Sequence, residues 1–520
     1  MPLWRRRIAA VTPRRNLLFI IVDQWRGDCL SRLGAGWVKT PNLDALARRG
    51  VTFARHFCQG APCGPARASL LTGKYVMNHR VVHNGVPLDA RHTHLGRLLR
   101  EAGYDPALVG YTTTTPDPRT TSADDARFQR NGDIADSWRI YAQLDELTYR
   151  HYTAWVGGRS ASHAGMSADD LWAPTSGARR PDGSPTVVPA ELSDSSWSAD
   201  RALEFLRAQP ADRPWALHLG FFRPHPPFNA PPPYHASVPL SAIPAPVRAA
   251  AAGREAAGHP YLAFVHENQV LHHFIVNGEG RSADLTDREL GLLRQSYYGL
   301  IEEVDSRIGQ VIDALAERGM LDETMIVMTS DHGEQLGDHY LLGKLGFFDQ
   351  SYHVPLIVVD PSPAADATRG RIVEGFSESV DVLPTVLEGL GIDVPLICDG
   401  ASLMPQIHGR GGDRTEVHFE FSLRGGYSAP RQRILDLDYR SCDLAVLRTA
   451  NLKYVHFQAL PPILFDLRDD PHELVDRSRE PAYREAMLAM AHRMLNWRMH
   501  YAERELTHLN ASMDGLVSVD

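Results

Sequence analysis

The sequence has no apolar run near the ~20 residues that a membrane helix needs, so no such span is expected among its 520 residues. The first apolar stretch, Leu17 to Val22, ends on Asp23 with no small-residue cleavage pattern after it. It does not read as a secretory signal, and a cytoplasmic protein is expected. Long basic runs are missing too: Arg5 to Arg7, with Arg14 and Arg15, read as a solvated tail. A formal net charge of −9 leaves no field to gather a nucleic-acid backbone, so no nucleic-acid partner is expected. Cysteine is scarce and unpatterned. Cys29, Cys58, Cys63, Cys398 and Cys442 are odd in number and form no CxxC, which argues against a disulfide framework and a zinc cluster. Taken singly, each reads as a small buried apolar residue. No internal repeat is present.

What is present is material for a core. Apolar residues make up 43% and charged residues 22%, ordinary globular usage, so the chain is expected to fold. Asn16 to Asp23 is a short continuous apolar run ending in an acid, which suits a buried parallel strand that delivers a carboxylate at its carboxyl end. Ligands of open α/β sheets bind at that edge. Thr324 to His332 has the same form, and Val354 to Asp360 and Trp215 to Phe222 also read as strands. Between them Asp287 to Arg318 carries one apolar face, with Thr286 and Glu289 as a capping box and Gly319 as a C-cap. This order predicts an α/β fold, a large mainly parallel sheet sandwiched by helices, over residues 1–408. Tyr149 to Ser193 and Asn229 to Gly253, rich in Pro and small residues, read as irregular insertions that shape a substrate mouth. After about Gly409 come short strand-like runs and a helix near Pro481 to Ala502, read as a smaller C-terminal α+β domain, 409–520.

The sharpest motif is Pro62 to Tyr75, in which Cys63, Pro65 and Arg67 form CxPxR ahead of a Leu-Thr-Gly turn. It resembles the sulfatase signature of the alkaline-phosphatase superfamily. The resemblance implies that Cys63 is oxidised to formylglycine by a generating enzyme, and that the modified residue both attacks the ester and ligates a metal. Chemically, a hydrated aldehyde presents two hydroxyls on one carbon. One attacks phosphorus or sulfur, and the other then loses its proton and expels the cleaved group. The bland alternative is a buried structural cysteine.

A doubly charged cation needs hard oxygen or imidazole donors, and Asp23, Asp331 and His332 offer them at two strand ends, with Gln24 as a candidate further neutral donor. Ordinary arylsulfatases carry paired acids and Asp-Asn at these places. Asp23-Gln24 and Asp331-His332 depart from that, favouring manganese over calcium, with iron or zinc as alternatives. His339 is left out of the ligand set, His218 reads as a hydrogen-bonded core histidine, and Lys74 reads as a surface residue.

The two pairs, with Tyr104 to Ser122, Phe221 to Phe228, Ser330 to Lys344 and Lys453 to Leu467, closely resemble bacterial phosphonate monoester hydrolases, which also cleave phosphate diesters. The likeness runs from Arg15 to the segment Thr507 to Leu509. It implies that Gln24, Asn84, Tyr111 and Thr113 contact the ester, and that His225 and Lys344 bind the oxyanion or protonate the leaving group. It also implies a homotetramer with the C-terminal arm as a contact. Lys344 and Arg67 are cations that offset charge in the transition state, with the alternative that Arg67 orients position 63. His225 is expected to titrate near working pH. The expected activity is hydrolysis of small-molecule phosphonate monoesters and phosphate diesters, with sulfate and phosphate monoesters as side substrates. A dedicated sulfatase of choline-sulfatase or arylsulfatase type is the alternative.

Overall fold

The computed structural model describes residues 5–6, 15–125, 127–128, 136–145, 149–210, 213–412, 414–424, 435–503, 507, 509–513 and 515–518. Arg7, Arg14 and His508 lie outside them.

The expected α/β sheet is found. Its strands are β1 (Asn16–Val22), β2 (Val51–Phe57), β4 (Ala107–Gly110), β5 (Arg139–Gln143), β6 (Ala216–Phe221), β7 (Thr324–Ser330), β8 (Leu356–Val359) and β9 (Ile372–Glu378). A two-residue β3 (Gly60–Ala61) stands apart from them. Across the sheet the order is β9-β2-β8-β7-β1-β6-β4-β5. All neighbours along it are parallel except β8, which runs antiparallel to β2 and β7. The run Val354 to Asp360 could not reveal that reversal, because a strand buried on both faces reads the same in either direction.

Helices close both faces. Along β1, Leu18, Ile20 and Val22 join one core and Leu17, Phe19 and Ile21 the other. Such two-sided burial is why the run shows no polar alternation. On the first face pack α1 (Pro41–Arg49), α5 (Asp194–Ala208) and α6 (Asp287–Glu317), and on the second α2 (Cys63–Thr72) and α7 (Val382–Gly389). The Thr286–Glu289 capping box opens α6, and such a cap contributes about 1 kcal/mol. Gly299 in this helix stands where a Cβ would lie 2.2 Å from the Tyr234 carbonyl oxygen, so the loop above packs directly on the helix backbone.

The stretch from Tyr149 is more ordered than its composition suggests. Here α3 (Arg150–Arg159) and α4 (Ala168–Trp172) gather Tyr152, Trp155 and Trp172 around Phe222 and Tyr111. Aromatic burial supplies the order that Ser, Pro and Gly content hides. Asn229 to Gly253 is irregular as expected, apart from short 3-10 turns and the start of a helix (Ala252–Ala256) at its end.

A second, five-stranded sheet has the order β13-β12-β11-β10-β3, with β10 (Glu416–Ser422), β11 (Asp443–Thr449), β12 (Leu452–Phe457) and β13 (Ile463–Asp466). Helix α8 (Arg484–Tyr501) covers one face through Met490 and Met494. Its last strand, β3, pairs in parallel with β10 and leads through Pro62 into Cys63. The two sheets are joined through Cys58 and Gln59, between β2 and β3, just ahead of the residue that opens α2.

The described parts of the basic tail are anchored to the rest of the chain. Arg5–Arg6 pairs with Val394–Pro395, and Arg15 forms a 2.8 Å ion pair with buried Asp360. Lys74, expected at the surface, is 1% exposed and lies beside Glu503 at 3.4 Å. Its place at the turn after α2 buries the chain whatever the side chain prefers. Among the described residues no helix is long and apolar enough to cross a membrane.

Candidate active site

Strands β1 and β7 are parallel neighbours with Val22 opposite Ser330, so the next residues, Asp23 and Asp331, emerge side by side at the sheet's carboxyl edge. Cys63 enters from the second face as the first residue of α2, where the helix dipole favours negative charge. His332 follows Asp331. One ligand atom from each of Asp23, Cys63, Asp331 and His332 lies within 4.8 Å of the others, and all four residues are buried. His332 Nε2 is 3.2 Å from Cys63 Sγ and 3.7 Å from Asp23 Oδ1. Its Nδ1 donates to the Gly333 carbonyl at 3.1 Å, which directs the Nε2 lone pair into the cluster. Two carboxylates, an oriented imidazole and the atom at position 63 form a donor set that suits a divalent cation.

Arg67, one turn into α2, makes three hydrogen bonds within the site. Nε donates to Asp331 at 2.8 Å, Nη2 to Asp23 at 3.1 Å and Nη1 to the Tyr111 carbonyl at 3.0 Å, while the guanidinium stacks 4.3 Å from the Tyr111 ring. Burial opposes its charge, but Asp331, Tyr111 and Asp23 hold its pKa well above the ordinary value. The Tyr111 hydroxyl donates to Asp23 at 2.7 Å. Asp331 is held below the usual carboxylate range: burial pushes it up, but His332 and Arg67 overcome that. His332 is pushed down to about 4, mainly by burial, so its imidazole is neutral at pH 7.

Lys344 reaches the same atom from the loop after His332. Its Nζ lies 3.5 Å from Cys63 Sγ and donates to Gln24 Oε1 at 2.6 Å. Burial would lower its pKa, yet Cys63, Asp23 and Asp331 raise it, so the ammonium keeps its proton. His225 donates through Nδ1 to the Pro226 carbonyl at 2.9 Å and packs on Phe222. Burial and Lys344 push its pKa well below the ordinary histidine value, so it does not titrate near neutral pH as the sequence suggested. Asn84 accepts from the Gly64 N–H at 2.7 Å, fixing its side chain beside the start of α2. A Cβ on residue 64 would lie 3.0 Å from that Asn84 oxygen, a tight approach that any larger residue would have to relieve. Thr113 adopts a left-handed φ of 48°, and its buried hydroxyl has no hydrogen-bond partner among the described residues.

His339 is excluded from the donor set: it bonds Glu255 at 3.1 Å and stacks on Phe348. His218 is a core histidine that packs edge-on against Phe19 and Trp138. One buried acid went unread. Glu334 accepts from Gln24 Nε2 and from the Leu336 and Gly343 N–H groups. Nothing in the Ser330 to Lys344 motif sets Glu334 apart from Asp338.

The sulfatase family model matches residues 15–392. The chain belongs to the sulfatase family. A second model, described as the C-terminal part of N-sulphoglucosamine sulphohydrolase, matches residues 337–500. The chain is 46% identical over 514 residues to the multifunctional alkaline phosphatase superfamily protein PehA of Trinickia caryophylli, covering 97% of this chain and 99% of that one. The crystal structure of a phosphonate monoester hydrolase from Agrobacterium radiobacter superposes with a TM-score of 0.92 at 40% identity, over 98% of this chain and 100% of the other. The phosphonate monoester hydrolase SpPMH from Silicibacter pomeroyi gives 0.90 at 34%, over 97% and 99%.

Proposed function

We propose that this chain is a metal-dependent hydrolase in which Cys63, as formylglycine, opens phosphonate monoesters and phosphate diesters, with sulfate and phosphate monoesters as side substrates. The observation that carries the reading is the buried convergence of Asp23, Cys63, Asp331 and His332, with the Lys344 ammonium 3.5 Å from Sγ. Similarity to phosphonate monoester hydrolases over nearly the whole chain supports the substrate class. A dedicated sulfatase of choline-sulfatase type is the alternative that the same Asp-Gln and Asp-His pairs allow.

Asp23, Asp331, His332 and position 63 would hold the cation, for which only two carboxylates and an imidazole favour manganese over oxygen-demanding calcium. When bound, it supplies charge that acidifies a hydroxyl and offsets negative charge on the ester. Hydrated formylglycine would supply two hydroxyls on one carbon, one as the nucleophile and one whose deprotonation re-forms the aldehyde and releases the phosphorus or sulfur oxyanion.

The remaining side chains divide the work. Arg67 donates to both aspartates and to the Tyr111 carbonyl, which suits it to orient the carboxylates. Lys344 carries a proton and a charge at the reacting atom, suiting it to stabilise the oxyanion and protonate the leaving group. His225, held neutral with Nδ1 on Pro226, offers an acceptor at Nε2. Asn84, which bonds the start of α2, is assigned with Gln24, Tyr111 and Thr113 to contact the ester.

A formylglycine-generating enzyme in the host would mature the chain, in the cytoplasm. We divide the chain at 408/409 because β10 to β13, all of the second sheet but β3, follow that point. Leu488, Leu495 and Met499, at 57%, 55% and 65% exposure on α8, support a homotetramer with this helix as a contact. The deciding experiment compares kcat/KM for a phenyl phosphonate monoester, a phosphate diester and a sulfate monoester. Preference for the sulfate would favour the alternative.

A further inference from the structure

Glu334 lies two residues past His332 and is fully buried. Its Oε1 accepts from the Leu336 N–H at 2.9 Å and the Gly343 N–H at 2.6 Å, gathering the loop that ends at Lys344. Its other oxygen accepts from Gln24 Nε2. Gln24 Oε1 accepts in turn from Lys344 Nζ at 2.6 Å, and that Nζ stands 3.5 Å from Cys63 Sγ.

The polarity of this chain of contacts is forced. A carboxylate only accepts and an ammonium only donates, so one orientation of the amide between them satisfies both. Reversed, the carbonyl of Gln24 would face the carboxylate and its NH2 the ammonium. The backbone beneath leaves no other freedom. Gln24 has a left-handed φ of 69°, its N–H donates to Asp331 Oδ1 at 3.1 Å, and its carbonyl accepts from the Tyr297 hydroxyl at 2.7 Å. With the main chain pinned, the side-chain rotor is what remains to be set.

We propose that Glu334 is a positioning residue: by accepting from Gln24 and Gly343 it sets the sense of the Gln24 amide and the reach of the loop, and so holds the Lys344 ammonium at position 63. The catalytic meaning of that ammonium rests on the hydrolase reading, whereas its place in the site is visible without turnover.

Glu334→Gln tests this. The substituted amide keeps the shape and still accepts from Leu336 and Gly343, but it presents an NH2 to Gln24. The Gln24 amide then turns over and shows its own NH2 to Lys344. A crystal structure of the variant is expected to show Nζ displaced from Gln24 with the main chain unmoved; Nζ in its original place would overturn the proposal. In kinetics, kcat is expected to fall roughly 10- to 100-fold with KM nearly unchanged. Adding E334Q to Lys344→Ala should cost less than about twofold more, since the group it places is gone. Fully multiplicative losses would overturn the proposal. If E334Q does not fold, Gln24→Leu breaks the same chain of contacts at its middle and must displace Nζ likewise. A wild-type protein with no esterase activity would reject the hydrolase reading, while the crystallographic comparison would still decide what places Lys344.

Discussion

Val22 and Ser330 form the last pair of the parallel ladder between β1 and β7, and this one register sets Asp23 and Asp331 at the same height beside Cys63. A shift of one residue would turn one carboxylate into the core. The donor set is therefore a property of the sheet as much as of the side chains.

Replacing His332 with Ala removes the only imidazole of the set. We expect metal content, read by mass spectrometry of the purified protein, to fall with activity, while thermal unfolding stays cooperative. Full metal occupancy in H332A would remove His332 from the ligand set. Chelation of the wild-type protein should silence it, with recovery best in manganese. Activity indifferent to chelators would refute the metal site.

Lys344→Ala should lower kcat by roughly 100-fold, the usual loss for one electrostatic stabiliser, with KM changed little. An effect confined to KM would make Lys344 a binding group. His225→Gln retains an acceptor, so it should cost less than Lys344→Ala; the opposite order would return the proton to His225.

Glu303 gives a pH prediction. It is buried in α6 beside Asp194, accepts from Ser193, and its pKa is raised from 4.5 to about 7, chiefly by burial. Because the folded value lies above the unfolded one, its contribution to stability is full below pH 4.5 and is lost as pH rises through 7. Glu303→Gln removes this loss. The variant should gain stability over wild type between those values, reaching roughly 1–3 kcal/mol at pH 8 in denaturant titrations. A gain of equal size at pH 4 would contradict the assignment.

Much of this was legible in the sequence. Apolar runs ending in acids located β1 and β7, and the 31-residue α6 was readable from its period and its caps. What the sequence withheld depends on packing between distant segments. The direction of β8, the burial of Lys74 and the order around Trp172 arise from neighbours that a local pattern does not specify. Within the site, the donor residues were readable because each sits at a strand end or helix start. Glu334 was not, since its partners Gln24 and Gly343 define it and composition does not. His225 was misjudged for the same reason: burial and Lys344 set its charge state.

The most direct test of the central claim is the mass of the tryptic peptide His56 to Arg67 from active protein, with fragment ions to separate Cys63 from Cys58. The account predicts a loss of ~18 Da at Cys63, the change from thiol to aldehyde that creates the nucleophile, together with capture by a hydrazide. An intact thiol at Cys63 in fully active enzyme would contradict it.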